Sequence, residues 1–249
     1  MQDIPEYSAT LPQLTTSQMI EVDRAMIEDF GIQLIQMMEN AGRNLAFLAR
    51  KRFLVNEIQD KIVIVMAGTG GNGGGALVCA RHLLIAGITV KIACSRPVSE
   101  FKPVPKHQLQ ILRKMNANII EFDDLDEDIK TDLIIDGLIG YSLSGSPRGA
   151  VANLIKWANH HIAPILSLDV PSGINTMTGK ACNPAIRAHA TMTLAVPKMG
   201  LGSSELRSYT GELYLANISV PPALYANPPF NLQFPNIFTK SDIVRLTSP

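Results

Sequence analysis

Apolar residues in this chain follow two periods that alternate along its length. Short continuous apolar runs occur near 61–66, 89–94, 118–122, 132–136, 164–169, 191–195 and 212–216. Runs of that length and β-branched content predict strands buried on both faces. Between several of them lie stretches of helical spacing, near 75–86, 106–116 and 149–161. Strand and helix in alternation predict an α/β fold. Its expected form is a Rossmann-like three-layer α/β/α sandwich around a mostly parallel sheet.

The first 60 residues follow the helical period alone. Thr15 with Gln18 makes a capping box for a helix to about Asp29, and Gly31 then breaks the chain. Leu34, Met37, Met38, Ala41, Leu45 and Leu48 repeat at helical spacing within a second helix, from Gln33 to Phe53. Its apolar surface exceeds what one side of a sheet needs, which predicts a homodimer through the N-terminal helices. Residues 1–14 read as a loose arm and 15–249 as a single domain. Six of the 16 prolines follow residue 220. That density predicts a C-terminal stretch that wraps the surface without joining the sheet.

The first strand, Lys61 to Met66, runs into six glycines in eight positions, Gly68 to Gly75. Strand, glycine loop and helix form a layout that turns free backbone N–H groups toward an anion. Glycine lets the backbone approach a ligand closely. The loop therefore predicts a phosphorylated ligand at the N-terminus of a helix starting near Gly75. A dinucleotide-binding dehydrogenase would carry an acid after the second strand. Here Ser95-Arg96 follow Thr89–Cys94. A phosphate-binding fold of another kind fits better.

Two more strand ends share that edge. One ends at Asp136 and continues into Gly137-Leu138-Ile139-Gly140-Tyr141-Ser142-Leu143-Ser144-Gly145-Ser146. The other ends at Asp169 and continues into Val170-Pro171-Ser172-Gly173. A single Asp after a strand is ordinarily a turn or cap residue. Two of them beside a glycine loop favour chemistry. Asn72, Asp136 and Ser172 offer oxygen ligands to a hard monovalent or divalent cation. The five histidines have no ligand spacing, which argues against a softer metal. Ser144 lacks the G-x-S-x-G setting of a nucleophile. Lys198 is either a surface lysine at a turn or a group reaching a phosphate or carboxylate.

Charge narrows the partners. Lys plus Arg equals Asp plus Glu at 22 each. That balance argues against nucleic acid and anionic membranes, which select basic surfaces. No apolar run approaches the roughly 18 residues of a membrane span. The first residues have neither the basic nor the apolar segment of a signal peptide. Cys79, Cys94 and Cys182 form no C-x-x-C pair and read as reduced cysteines of a cytoplasmic protein.

Four segments in order, GTGGNGGGALVCARHL, DLIIDGLIGYSLSG, LSLDVPSG and TLAVPKMGL, resemble the NAD(P)HX epimerase family, the YjeF N-terminal-like domain that includes the apolipoprotein A-I-binding protein. VDRAMIEDFGI, MMENAG and GELYLANISVPPALY extend the resemblance over about residues 15–245. It implies a Rossmann-like fold and conversion of the R epimer of hydrated NADH or NADPH (NADHX, NADPHX) to the S epimer. A partner NAD(P)HX dehydratase then repairs that product. It implies a potassium ion (K+) on Asn72, Asp136 and Ser172. It also implies substrate contacts from Gly71, Asn72, Gly73, Gly74, Gly75, Gly140, Tyr141, Ser142, Leu143, Ser144, Gly145, Ser146 and Asp169. Asp169 is the expected proton carrier, because Asp136 is assigned to the cation. One departure stands out. The family pattern N-N-G-G-D-G reads Gly71-Asn72-Gly73-Gly74-Gly75-Ala76 here. Two polar side chains are thereby lost, which keeps open an alternative: a non-catalytic nucleotide-binding or scaffold domain of the same fold.

Overall fold

The computed structural model describes residues 4–55, 60–121, 125–126 and 129–247. In chain order its first elements are β1 (Glu6–Tyr7), α1 (Thr16–Glu28), α2 (Leu34–Arg52), β2 (Ile62–Ala67), α3 (Gly71–Ile85), β3 (Thr89–Cys94), α4 (Pro103–Lys114), β4 (Asn118–Glu121) and β5 (Leu133–Gly137). There follow α5 (Gly149–His160), β6 (Ile165–Leu168), β7 (Ile174–Asn175), β8 (Lys180–Ala181), β9 (Ala190–Leu194), α6 (Arg207–Thr210), β10 (Glu212–Ala216), α7 (Pro222–Ala226) and β11 (Ile243–Leu246). The seven strands expected from the apolar runs are present within a residue or so of their predicted bounds. Position 122, the expected end of the third run, lies outside the described residues.

Side-chain alternation along the strands builds three layers. Val63, Val65 and Ala67 of β2 pack with Leu45 and Leu48 of α2, Leu77 of α3 and Leu109 of α4. Ile64 and Met66 point the other way, onto Leu154 and Ile155 of α5. β5 repeats the division, with Leu133 and Ile135 on the first face and Ile134 on the second. A period of two thus needs helices on both faces of the sheet. Burying each such side chain contributes about 1.5–3 kcal/mol.

The nine-stranded sheet runs β1-β11-β10-β9-β6-β5-β2-β3-β4. Every neighbouring pair is parallel except β10 with β11. From β2 the chain proceeds outward to β3 and β4, then returns to lay β5 on the other side of β2. The strand order reverses between β2 and β5. The crevice beyond their carboxyl ends is where open α/β sheets take ligands.

Both chain ends depart from expectation. Ile243–Leu246 joins the sheet beside β10, and Glu6–Tyr7 pairs with it in turn. Five of the six prolines after residue 220 precede the Ile243–Leu246 strand and none falls within it, which leaves its backbone N–H groups free to pair. The N-terminal arm is also anchored further on. Leu14 N–H donates to Pro197 O (3.0 Å), and Met199 N–H donates to Leu14 O (2.9 Å). Thr15 and Gln18 form the expected capping box. Met37 and Met38 are core residues, while Leu34 is 36% exposed.

Candidate active site

The glycine stretch is helix for most of its length. α3 starts at Gly71, not near Gly75, with Gly70 as its N-cap. Gly74 N–H donates to Gly70 O at 3.0 Å. Close packing overrides glycine's poor helix propensity here. A Cβ on Gly68 would strike the Leu138 backbone, and one on Gly73 would strike the Gly68 backbone. Gly73 is thus required by the fold itself, not by room for a phosphate. A Cβ on Gly75 would lie 2.7 Å from Leu168 Cδ2. Leu168 therefore occupies the direction in which a larger side chain at position 75 would project. Gly70 and Gly71 face open space. No side chain caps the first turn, so its N–H groups are available to a ligand.

Asp136, at the end of β5, is fully buried. Ser172 Oγ donates to its Oδ1 at 2.6 Å, and the Leu138 N–H does so at 3.2 Å. Ser167 Oγ and the Ser172 N–H each donate to Oδ2 at 2.8 Å. Burial pushes the carboxyl above its usual range, against these hydrogen bonds. Ser172 also accepts the Ile139 N–H at 2.9 Å. Asp136, Ser172 and the Ile139 turn therefore form one oxygen-rich knot.

Asp169 ends β6 with φ +65°. Ala195, at the end of neighbouring β9, repeats the feature at φ +64°. Each is followed by a tight turn, Val170 N–H to Leu168 O and Val196 N–H to Leu194 O. Asp tolerates this left-handed backbone better than most residues. The turn aims its carboxylate at Lys198, whose Nζ lies 2.5 Å from Asp169 Oδ1. Both partners are buried, Lys198 to 1% exposure. Lys198 also donates to Leu194 O at 2.7 Å. It is an interior cation, not a surface lysine. Asp169 Oδ2 accepts the Tyr141 N–H at 3.2 Å.

Gly140 joins the strand ends. A Cβ there would lie 3.0 Å from Asp169 Oδ2 and 3.3 Å from Asn72 Oδ1. The first turn of α3, the loop after β5 and Asp169 therefore meet at one glycine. The buried Asn72 Nδ2 has no hydrogen-bond partner, which suits a group awaiting a ligand. Beyond Tyr141 the loop opens outward. Ser142, Leu143, Ser144, Gly145 and Ser146, with Arg148, line a cavity of about 420 Å³. Among the described residues no group of three His, Cys, Asp or Glu could hold a metal, and no helix is long and apolar enough to cross a membrane.

One participant escaped the sequence reading. Asp23 of α1 accepts the Tyr141 hydroxyl at 2.5 Å. Burial raises the Asp23 carboxyl, opposed by that bond and by Lys198. Its only sequence signal is position, one residue beyond Val22 in the apolar stripe Met19, Val22, Met26.

The family described as YjeF-related protein N-terminus matches residues 34–200. An NAD(P)H-hydrate epimerase of Dehalogenimonas lykanthroporepellens is 40% identical over 94% of this chain and 93% of its own. A bifunctional NAD(P)H-hydrate repair enzyme of Salinibacter ruber is 33% identical over 85% of this chain, which spans 41% of that enzyme. The crystal structure of yeast ynu0, YNL200c, superimposes with a TM-score of 0.81 at 26% identity, covering 95% of this chain and all of that one. With the family match over residues 34–200 and 40% identity to a relative over most of both chains, this chain belongs to the YjeF-related N-terminal family.

Proposed function

We propose that this protein converts the R form of hydrated NADH and NADPH to the S form, as an isomerase of nicotinamide nucleotide repair. The observation that carries the reading is the buried Lys198–Asp169 pair at the sheet's reversal point, beside the uncapped start of α3. The substrate's pyrophosphate suits the free N–H groups at Gly71 to Gly73, with Arg148 and the Gly140–Ser146 loop along its path.

The epimerisation needs one proton held and returned. The substrate's hydroxyl lies on a ring carbon next to nitrogen. In this reading the pair, with Lys198 Nζ 2.5 Å from Asp169 Oδ1, supplies one proton. Its transfer to the hydroxyl lets the C–O bond break, with both electrons leaving on water. The ring becomes an iminium cation, and the pair is left with a net negative charge facing it. Water then adds to the opposite face and its proton returns to Asp169. General acid–base help of this kind contributes about 100- to 10,000-fold.

Potassium fits the knot at Asp136. A buried carboxylate with raised proton affinity gains from a cation, and Asp136 and Ser172 supply oxygen donors there, with the Asn72 oxygen lying by Gly140 and Asp169. Bound there, the ion would offset the Asp136 charge and pin the two loops. The expected readout is a higher Tm in KCl than in choline chloride at equal ionic strength. We further propose a cytoplasmic homodimer. Ile20, Ile27, Phe30, Leu34 and Ile35 expose apolar surface along α1 and α2, and sedimentation at micromolar concentration measures the mass. An NAD(P)HX dehydratase would consume the product, as the bifunctional relatives' fused repair activities suggest.

One observation favours a second reading, a non-catalytic nucleotide-binding or scaffold domain. Gly71 and Gly75 leave the start of α3 without the family's polar side chains. The deciding experiment couples R-form hydrated NADH and this protein to an S-specific dehydratase. Acceleration over the spontaneous rate supports the epimerase. Nucleotide binding without acceleration supports the second reading.

A further inference from the structure

We propose that Asp23 is a positioning residue of this site: it anchors the Tyr141 hydroxyl, and Tyr141 in turn holds Asp169 and Lys198 in register. The inference rests on the proposed epimerase reading for its kinetic consequence, though not for its geometry.

Tyr141 touches both members of the buried pair. Its backbone N–H donates to Asp169 Oδ2, and Lys198 Nζ sits over its ring at 5.9 Å from the centroid. Two ties hold the residue, and both lead to α1. The hydroxyl donates to Asp23 Oδ2 at 2.5 Å. The carbonyl accepts from Thr176 Oγ1 at 3.2 Å, and Thr176 Oγ1 lies 3.0 Å from Thr16 Oγ1. The next residues, Ser142 to Ser146, line the open cavity. Tyr141 is thus the last fixed point before a loop that faces solvent.

Stability alone is a poor reason for this bond. Asp23 is largely desolvated and lies near the Asp169 charge, which opposes its ionisation. An apolar pair of similar volume would serve packing as well or better. A charge-assisted O–H···O bond instead supplies direction and stiffness. The other charged group facing Asp23 is Lys198. The buried Tyr225 hydroxyl, which has no partner, also feels the Asp23 charge.

The test compares Asp23→Asn, Asp23→Ala, Tyr141→Phe and the double variant Asp23→Ala/Tyr141→Phe in the full chain. On R-form hydrated NADH, kcat should fall about ten- to a hundredfold in Asp23→Ala and in Tyr141→Phe. KM should stay within about twofold, the sign of lost positioning and not of lost binding. Asp23→Asn, which still accepts the hydroxyl's proton, should recover part of the rate. The double variant should be no worse than the worse single one, because both remove the same bond. Additive losses would overturn the proposal. A second readout needs no turnover. Amide hydrogen exchange should rise over residues 139–146 in Asp23→Ala and Tyr141→Phe, and less in Asp23→Asn, with β2 and β5 unchanged. A silent loop overturns the inference even if the wild type is an active epimerase. A responsive loop in a protein without turnover supports the anchor while overturning the proposed function.

Discussion

Asp136 and Asp169 end neighbouring strands of one sheet, and their surroundings separate them completely. Asp136 receives four hydrogen bonds from hydroxyl and backbone groups, with no basic side chain among those partners. Asp169 receives two backbone N–H groups and a buried ammonium. The first arrangement immobilises a carboxylate in a shell of hydroxyl and backbone donors. The second sets a carboxylate against a lysine amine at 2.5 Å, the contact on which the proposed proton transfer rests. Similar sequence contexts, an apolar run closed by Asp and followed by a turn, therefore serve unlike chemistry. What differs comes from Ser172, Tyr141 and Lys198, each supplied by another loop.

The sharpest way to break this contrast is to remove one function at a time. Asp169→Asn keeps shape but cannot exchange a proton. Its turnover should fall about 100- to 10,000-fold while nucleotide binding survives, measured by the coupled assay and by calorimetry. A variant with normal turnover would remove Asp169 from the mechanism. Lys198→Met leaves Asp169 buried without its counter-charge. Urea denaturation should show a loss of about 3–5 kcal/mol. A loss under about 1 kcal/mol would mean that the pair is far better hydrated than its burial indicates.

Asp136→Asn should cost less, about 2 kcal/mol, because its amide retains one acceptor but turns N–H groups toward hydroxyl and backbone donors. The same variant should abolish the rise of Tm in KCl. The pH dependence has a definite sign. Burial raises the Asp136 carboxyl above its ordinary 3.8, so the folded state holds that proton more tightly than the unfolded chain. Without a cation, its contribution to stability declines as pH rises through the folded value. Cation binding displaces the proton, so the KCl effect should grow with pH. An equal KCl effect in Asp136→Asn would place any ion elsewhere.

A third carboxylate calibrates the other two. Glu212 is paired with Arg52 at 2.9 Å near the surface, and that pairing lowers its carboxyl to about 2. Its contribution is present above its ordinary 4.5 and fades as pH falls toward about 2. Glu212→Gln should cost about 1 kcal/mol near neutrality, given the pair's partial exposure. The Tm gap between wild type and variant should close across that acid window. A gap unchanged at low pH would show that packing, not charge, accounts for the cost.

Much of the architecture was legible because it depends on local periods. Continuous apolar runs and helical spacing name strands and helices wherever the neighbours merely bury them, as with Ile62–Ala67 and Leu34–Arg52. The motif order of four segments was enough to place the family. The α3 start was misread because a glycine run has poor helix propensity. Only the close approach of Gly68, Met38 and Leu168 to Gly73, Gly74 and Gly75 shows why those positions are glycine within a helix. The terminal strands were missed because a two-residue strand and a proline-rich tail have no period to detect, and the sheet edge supplies their pairing. The roles of Asp23, Tyr141 and Lys198 were hidden for a different reason. A charged residue's burial and partner are properties of contacts between segments distant in sequence, such as Asp169 with Tyr141, 28 residues apart, and Asp23 with Tyr141, 118 residues apart. The sequence by itself determined seven of the sheet's nine strands and which residues arrive at its carboxyl edge. Tertiary structure alone decided which of those carboxylates faces hydroxyls and which faces an ammonium, because desolvation and charge pairing depend on neighbours brought together only by folding.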